Sequence, residues 1–487
     1  MNIQRPLVSS IPYDYAGGKY GLADKDLVSN KGAGFFIADW TVAESFILTK
    51  KGGLEMANRI VHTSKMAWVL DPKEPMAGLV ADGGIIVARV SPGCWGAMIT
   101  PDYASGHEVT HPIAVEGAEI GDSVCLKIKK INILSIATTS GTDSFVEGNF
   151  VGDPFVAKQC PGCGLINPKT YLEGIGEDAI KCSACKTSVK PFHLDNGYTM
   201  LFNPERTMGV TIPPKMSEEI AHQSQQFSAI PTGSCQYSSN LLAKGDLWGV
   251  MTRVRPMVGN IGSCPSVALP SSHNAGDFGS FLINAPHKYA LTPEQLLQRT
   301  DGHMDINEVG EGAMVIVPVK VAQAGIYVGD VHAMMGDGEV AGHTTDVSAE
   351  VIIEVNVIKG LAIDGPIVLP RCENLPLLAR PYTDEEKNEA ARFSQNYGFP
   401  VETDMYPVQV VGSGVDLNTA TANGLTRMAA LTEYSIAEVK NRATITGDVQ
   451  IGRLPGVVQV TMLTPSAVLK RLNLLDLYQE QYQGQRH

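Results

Sequence analysis

Alternation of apolar and polar side chains constrains the fold of this chain most strongly, because it fixes where β-strands can form. The alternation runs from Val124 to Lys129 and returns at residues 350–358. A third apolar strand is predicted at residues 313–321. Turns rich in Gly and Pro separate these short strands, and the chain holds 49 glycines and 29 prolines. The pattern predicts a mainly β protein with a sandwich or jelly-roll-like core.

Helices are expected mainly in the last third of the chain, which adds an α/β part to the β core. Thr383 and Glu386 form a capping box that opens a helix toward Tyr397. Further helix starts are signalled at Thr292, Asp416 and Ser435. Residues 214–298 are otherwise rich in Ser, Gly and Pro. We divide the chain into an N-terminal β-rich part (1–140), an insert (145–200), a core segment with a further insertion (201–298) and a catalytic and α/β part (299–487).

The formal net charge of −13, from 38 basic and 51 acidic residues, argues against general nucleic-acid binding, which requires a positive surface. No apolar run approaches the roughly 18 residues of a membrane span, and the first residues lack the apolar segment of a secretory signal. We therefore expect a cytoplasmic protein with no nucleic-acid or membrane partner. Five of the nine cysteines are scattered, as is typical of buried free thiols in a reducing compartment: Cys94, Cys125, Cys235, Cys264 and Cys372.

The other four cysteines form two Cys-x-x-Cys pairs, Cys160/Cys163 and Cys182/Cys185, with 18 residues between the pairs. Thiolates at this spacing lie on tight turns that close a tetrahedral site, which predicts a structural zinc ribbon. The alternatives are coincidence, or a ribbon that has lost its metal. A site filled by four thiolates holds no reactive water, so this zinc is not expected to be catalytic.

A second cluster combines carboxylates and a histidine around glycines. Asp330 and His332 are two residues apart, Asp337 and Glu339 are again two apart, and Asp305 precedes them. These ligand types suit zinc or another first-row divalent ion, and water on such an ion can attack a carbonyl carbon. Glu339 could then move the proton to the leaving nitrogen. The alternative is a hairpin with solvated acids.

Three histidines and two acids upstream remain open. His62, His107 and His111 are each either a core or surface histidine or a metal ligand. Glu116 and Glu119 are either turn acids or partners that orient a ligand.

Several motifs, in this order, resemble the acetamidase/formamidase family. They are VEGAEIGD (115–122), ERTMGVTIPP (205–214), DGHMDIN (301–307), GDVHAMMGDGEV (329–340) and SGVDLNTATANGLTRMAAL (413–431). The resemblance implies a β-rich homo-oligomer that hydrolyses short aliphatic amides to a carboxylate and ammonia, and some relatives open lactams. It also implies that Asp305, Asp330, His332, Asp337 and Glu339 lie at or near the active site.

The chain departs from that family's pattern in two ways. It is longer, by the ribbon and by the stretch from about 215 to 298. It also has His303 where the family has Asn, and His343 shortly after the GDGEV motif. The two histidines leave the ligand set and the substrate open, and His343 is a ligand, a substrate contact or a surface residue.

We therefore predict a metal-dependent hydrolase of carbon–nitrogen bonds other than peptide bonds. Asp305, Asp330 and His332 would hold a second divalent ion, expected to be zinc, which Asp337 supports. Glu339 would act as general base and then as general acid on a small amide. One alternative is a lactamase or a hydrolase of a urea-like or guanidino compound. The other is a non-catalytic scaffold that binds zinc only at its four cysteines.

Overall fold

A computed structural model describes most of the chain beyond residue 56. The described residues are 57–93, 107–139, 142–145, 150–151, 153–157, 160–165, 168–190, 192–234, 236, 238–242, 244–271, 294, 297–454 and 456–483. The helix start predicted at Thr292 and the thiols of Cys94 and Cys235 lie outside them.

Strands dominate the described residues and confirm the mainly β prediction. In chain order, β1 to β26 are Asn58–Thr63, Met66–Ala67, Val69–Leu70, Leu79–Val90, Val109–Thr110, Ala114–Val115, Ser123–Ile133, Ala137–Thr139, Thr142–Phe145, Phe150–Val151, Asp153–Ala157, Thr170–Leu172, Ile180–Cys182, Phe192–Asp195, Tyr198–Phe202, Met208–Thr211, Met251–Arg253, Met257–Ser263, Leu269–Pro270, Met314–Pro318, Ile326–His332, Ala349–Ile358, Ile367–Leu369, Met405–Ser413, Gly447–Arg453 and Val457–Pro465.

One large sheet organises the described chain, in the order β1-β4-β22-β7-β20-β23-β24-β26-β25, with β6 beside β4. The two strands with the clearest alternation, β7 and β22, lie next to each other and pair antiparallel, Leu126 opposite Val355. Two four-stranded sheets accompany it, in the orders β18-β21-β5-β2 and β17-β16-β15-β8.

The large sheet separates two cores. Strand β20 is buried on both faces: Val315 and Val317 enter one core, whereas Met314 and Ile316 enter the other. The first, the central core, lies between the large sheet and the β18-β21 sheet, and includes Leu126, Val258, Ile261, Val328, Val331 and Val355. The second, the C-terminal core, includes Val408, Val460, Leu425, Met428, Val439 and Tyr478.

Seven α-helices are described. In chain order, α1 to α7 are Pro214–His222, Ser224–Ser228, Asp384–Tyr397, Leu417–Thr432, Ile436–Thr446, Ser466–Arg471 and Leu475–Gln483. No helix of the described residues is both long and apolar enough to cross a membrane.

Helices α3, α4 and α5 begin at the capping residues that the sequence predicted. Thr383 and Glu386 form the complete capping box of α3. Asp416 caps α4, and Ser435 caps α5 through the amide of Glu438. Helix α1 was not predicted, because its N-cap position holds Pro213 rather than Ser, Thr, Asp or Asn. Its start follows Pro213 and places Pro214 at the first helical position.

Candidate active site

Histidines and carboxylates gather where a loop crosses the end of strand β21. The backbone amides of Met304 and Asp305 both donate to the carbonyl of Gly259 in β18, at 2.9 and 3.0 Å. Strand β18 pairs antiparallel with β21, which ends with Asp330 and His332. The sheet therefore brings Asp305 beside two residues that follow it by more than twenty positions.

Three of the acids have unusual backbone conformations. Asp305, Asp330 and Glu339 have φ angles of 45°, 55° and 42°. Residues other than glycine rarely adopt this left-handed conformation, and it persists only where the surrounding structure enforces it, often at functional sites. At Asp330 this conformation occurs within strand β21.

Asp305, Asp330 and His332 form a compact buried set. Nε2 of His332 lies 3.4 Å from Oδ1 of Asp305 and 3.5 Å from Oδ1 of Asp330. Both separations exceed the usual length of an N–H···O hydrogen bond. Ligand atoms about 2.1 Å from one tetrahedrally bound ion lie about 3.4 Å apart, close to these separations. The three residues therefore fit a divalent cation.

Unsatisfied carboxylate oxygens support that fit. The side chains of Asp305 and Asp330 are almost completely buried, and within the described chain no group makes a well-aligned hydrogen bond to any of their four oxygens. Nitrogens approach these oxygens at 3.0 to 3.6 Å without hydrogen-bond geometry. Buried charges are normally paired, hydrogen-bonded or bound to metal.

Two more histidines complete the cluster. Nε2 of His303 lies 3.1 Å from Oδ2 of Asp305 and 3.4 Å from Oδ2 of Asp330. Nε2 of His107 lies 3.6 Å from Oδ1 of Asp330. Burial lowers the pKa of His107 to about 3, so its imidazole is neutral near pH 7. The sequence left His107 open, and the structure places it in the cluster.

Asp346 is a cluster residue that the sequence did not single out. Its Oδ1 lies 3.3 Å from Nδ1 of His332, and the backbones of the two residues form a β-bridge. This contact leaves Nε2 of the ring facing Asp305 and Asp330, the side on which a metal ion would bind. Asp346 follows His332 by fourteen residues, so no local spacing links the two.

Glu339 lies in the glycine turn, beside Arg453. Like Asp346, Arg453 was not identified from the sequence as a site residue. The amide of Gly338 donates to the carbonyls of Ile451 and Gly452, and this pairing places the turn against the end of β25. Arg453 is buried, with its Nε 3.0 Å from Oδ2 of Asp305. The sequence offered no motif that could have identified Arg453, only an arginine in a C-terminal strand.

Burial and charge shift the acidities across the cluster. Burial alone would raise the pKa of Asp305, but His303 and Arg453 hold it below its usual value. Asp330 is held well below its usual pKa by neighbouring histidines. Conversely, burial alone would lower the pKa of His332, but the carboxylates of Asp305, Asp330 and Asp346 together raise it well above its usual value. Ionised carboxylates thus face protonated imidazoles, and a divalent cation can take the place of those protons.

Glu339 has the opposite shift to the two aspartates. Burial, followed by the charge of Asp305, raises its pKa well above the usual value. A carboxylic acid with a raised pKa beside a cluster of this kind is suited to proton transfer near neutral pH.

Asp337 lies outside the buried cluster. Its side chain is exposed and accepts a hydrogen bond from Nδ2 of Asn307. The roles of five further residues were left undecided by the sequence. Of these, Glu116 and Glu119 lie in an exposed turn, where Glu119 pairs with Lys359 at 2.9 Å. His62 is exposed on β1 and His111 is half-buried, whereas His343 is buried.

A buried ionic network holds the loop that carries His303 and Asp305. Asp301 is fully buried and contacts Arg299 and Arg427, each at 2.6 Å. Oγ of Ser413 donates to the same carboxylate at 2.8 Å. Because Arg427 lies on α4 and Ser413 ends β24, the C-terminal part of the chain fixes the site loop.

The four ribbon cysteines converge in a separate place. Sγ of Cys160 lies 3.5 Å from Sγ of Cys185, and Sγ of Cys163 lies 3.9 Å from Sγ of Cys182. Thiolates about 2.3 Å from one tetrahedral zinc ion are about 3.8 Å apart, so the cluster fits zinc. Hydrogen bonding between Cys185 and Thr187 lowers the pKa of Cys185 to about 6, which favours a thiolate.

A β-rich scaffold with a buried histidine–carboxylate cluster and an adjacent acid is typical of a hydrolytic enzyme. Comparison with known proteins specifies the class. The chain belongs to the acetamidase/formamidase family, whose sequence model matches residues 94–471. It is therefore an amidase. No curated protein matches the chain in sequence.

Three solved structures that match this chain are distant from it in sequence. A recombinant predicted acetamidase/formamidase from Thermoanaerobacter tengcongensis is 19% identical, with 85% of this chain and 98% of that chain covered and a TM-score of 0.45. An acetamidase from Bacillus halodurans is 16% identical, with 85% and 99% covered and a TM-score of 0.45. A gamma lactamase from Delftia acidovorans is 18% identical, with 83% and 89% covered and a TM-score of 0.36.

Proposed function

We propose that this amidase is metal-dependent and cleaves a small aliphatic amide to a carboxylate and ammonia. Asp305, Asp330 and His332 would hold the ion, and zinc suits this donor set. The observation that carries the proposal is the pair of buried aspartates whose oxygens lack hydrogen bonds from the described residues. When bound, such an ion polarises a carbonyl oxygen and lowers the pKa of water.

The protein's own residues supply orientation and proton transfer. Asp346 would orient the ring of His332 from its Nδ1 side, and Arg453 would hold Asp305 as its ion-pair partner. Glu339 takes a proton from the attacking water and then delivers it to the leaving nitrogen, which departs as ammonia. The raised pKa of Glu339 suits both transfers.

Asp337 is proposed to act through the turn rather than on the substrate. It accepts a hydrogen bond from Asn307, two residues after Asp305. This contact joins the site loop to the turn that carries Glu339. Asp337 would therefore position Glu339 relative to Asp305.

We also propose that the ribbon cysteines bind a structural zinc ion. The sulfur separations support this, and the ribbon has its own small core, which includes Ala179, Ile180, Val189 and Leu194. With four thiolates around it, this zinc would stabilise the insert and leave the chemistry to the histidine–carboxylate cluster.

Product release from the purified enzyme tests the proposed reaction. Formamide, acetamide, longer amides, urea-like compounds and γ-lactams would be offered, with ammonia and new primary amines measured separately. We expect ammonia from an aliphatic amide, with activity lost on chelation and restored by divalent metal. Amine without ammonia would show lactam opening, and inactivity on every compound with metal bound would contradict the proposal.

A further inference from the structure

Asp330 belongs to two overlapping sets of potential metal ligands. One set is Asp305, Asp330 and His332, and the other is His107, His303 and Asp330. In each set, one donor atom from every residue lies within 4.8 Å of the other two. We propose that the second set is also a divalent-cation site and that Asp330 bridges two ions. The inference rests on the ion that the proposed function assigns to the first set.

The two oxygens of Asp330 face histidines of both sets. Oδ2 lies 3.4 Å from Nε2 of His303, whereas Oδ1 lies 3.5 Å from Nε2 of His332 and 3.6 Å from Nε2 of His107. The side chain is 1% exposed, and neither oxygen receives a well-aligned hydrogen bond within the described residues. One ion would use only part of a carboxylate's capacity, since each of its oxygens has two lone pairs.

The donor types are those of a first-row divalent ion. Two imidazoles and one carboxylate suit zinc, manganese or a similar metal, and paired hydrolytic ions usually lie about 3.5–4 Å apart. The two sets are close enough for this, because they share one side chain. His107 and His303 also approach each other directly, with ring centroids 4.5 Å apart.

Arg453 is the main competitor for this site. Its Nη1 and Nη2 lie 2.9 Å from Nε2 and Nδ1 of His303, respectively, and its Nε lies 3.0 Å from Oδ2 of Asp305. A ring nitrogen cannot serve a guanidinium and an ion together. Binding therefore requires Arg453 to remain on Asp305 and release His303. The competing arrangement is a protonated His303 held between Asp305 and Asp330, with only one ion bound.

Manganese loading separates the two arrangements. Mn²⁺ prefers oxygen and nitrogen ligands, so it should not bind the four cysteines. The number of Mn²⁺ ions per chain then reports the histidine–carboxylate cluster alone. Full-length protein would be stripped with chelator, reloaded with Mn²⁺ and freed of excess metal. Elemental analysis then gives ions per chain, and electron paramagnetic resonance distinguishes a spin-coupled pair from isolated ions.

We expect two Mn²⁺ per wild-type chain with a coupled-pair spectrum. His303→Asn should bind one fewer ion and give an isolated-ion spectrum, and His107→Asn should do the same. The matched control is His62→Asn on exposed β1, which should retain the pair. Circular dichroism and thermal melting would show whether each variant is folded. If one of the two cluster variants misfolds, the other still tests the site.

One ion in the wild type, two uncoupled ions, or a coupled pair that survives His303→Asn would each overturn the shared site. Amide hydrolysis on the same preparations separates this inference from the proposed function. Hydrolysis with a single ion refutes only the second site. A folded protein with no ion at the cluster and no hydrolysis refutes both.

Discussion

Replacing Gly259 with Ala tests whether close packing of the β18 backbone fixes the site carboxylates. A Cβ at this position would overlap Oδ1 of Asp305 and lie 2.9 Å from Oδ2 of Asp330, whereas ordinary contact begins at 3.4 Å. The Asp330 oxygen would therefore have to move by 0.5 Å, the difference between these two distances, and the overlapped oxygen of Asp305 would have to move further.

A shift of this size exceeds what the site should tolerate. Functional groups need placement within about 0.5 Å, and displacement by about 1 Å can reduce a rate by roughly 10²-fold. Overpacking a dense interior also costs about 1–3 kcal/mol of folding free energy. Gly259→Ala should thus weaken metal binding and lower kcat/KM about 10²-fold, with only moderate destabilisation.

The matched control is Gly336→Ala, four residues after His332. Its Cβ would have no neighbour within 4 Å, and its φ is not in the left-handed region. This variant should keep its metal, its kcat/KM and its melting temperature. If Gly259→Ala matched the control in metal content by elemental analysis and in kcat/KM, the carboxylates would not be fixed by this contact.

Further predictions concern proton transfer, the ribbon and the loop network. Glu339→Gln should lower kcat about 10²–10⁴-fold with metal content unchanged, as measured by steady-state kinetics and elemental analysis; near-normal turnover would exclude Glu339 from proton transfer. Because the folded state raises the pKa of Glu339 and so binds its proton more tightly than the unfolded state does, metal-free wild type should lose stability as pH rises above about 4.3. Denaturant titrations should show less of this loss in Glu339→Gln, and identical pH profiles would count against the raised pKa. Cys182→Ser should remove one zinc per chain without abolishing amide hydrolysis, and retention of full zinc would contradict a four-thiolate site. Arg427→Leu should destabilise the protein by about 3 kcal/mol, because it leaves buried Asp301 with one guanidinium fewer, and an unchanged unfolding midpoint in urea would refute this.

Local patterns in the sequence predicted strands β7, β20 and β22 and the capped helices α3, α4 and α5. The period-two alternation at 124–129 and 350–358 identified β7 and β22, because one side of each strand faces the central core. Thr383, Asp416 and Ser435 marked the starts of α3, α4 and α5 through their side-chain oxygens. Helix α1 was missed because its start depends on proline geometry and tertiary packing rather than on a polar cap.

The cluster was only partly predictable, because its members come from distant segments. Asp305 lies in one recognisable motif, and Asp330 and His332 lie in another. The structure brings the three residues together. Asp346 and Arg453 have no such motif. Asp346 reaches His332 through a backbone bridge, and Arg453 reaches Asp305 from the end of β25.

The shared position of β20 between the two cores has a consequence for how the protein unfolds. Alternate β20 side chains enter different cores, and the strand is hydrogen-bonded to β7 on one side and β23 on the other. Neither core can open while the other keeps this strand in place. The β20 amides should therefore exchange with solvent deuterium only in global unfolding, and the two cores should melt as one cooperative unit.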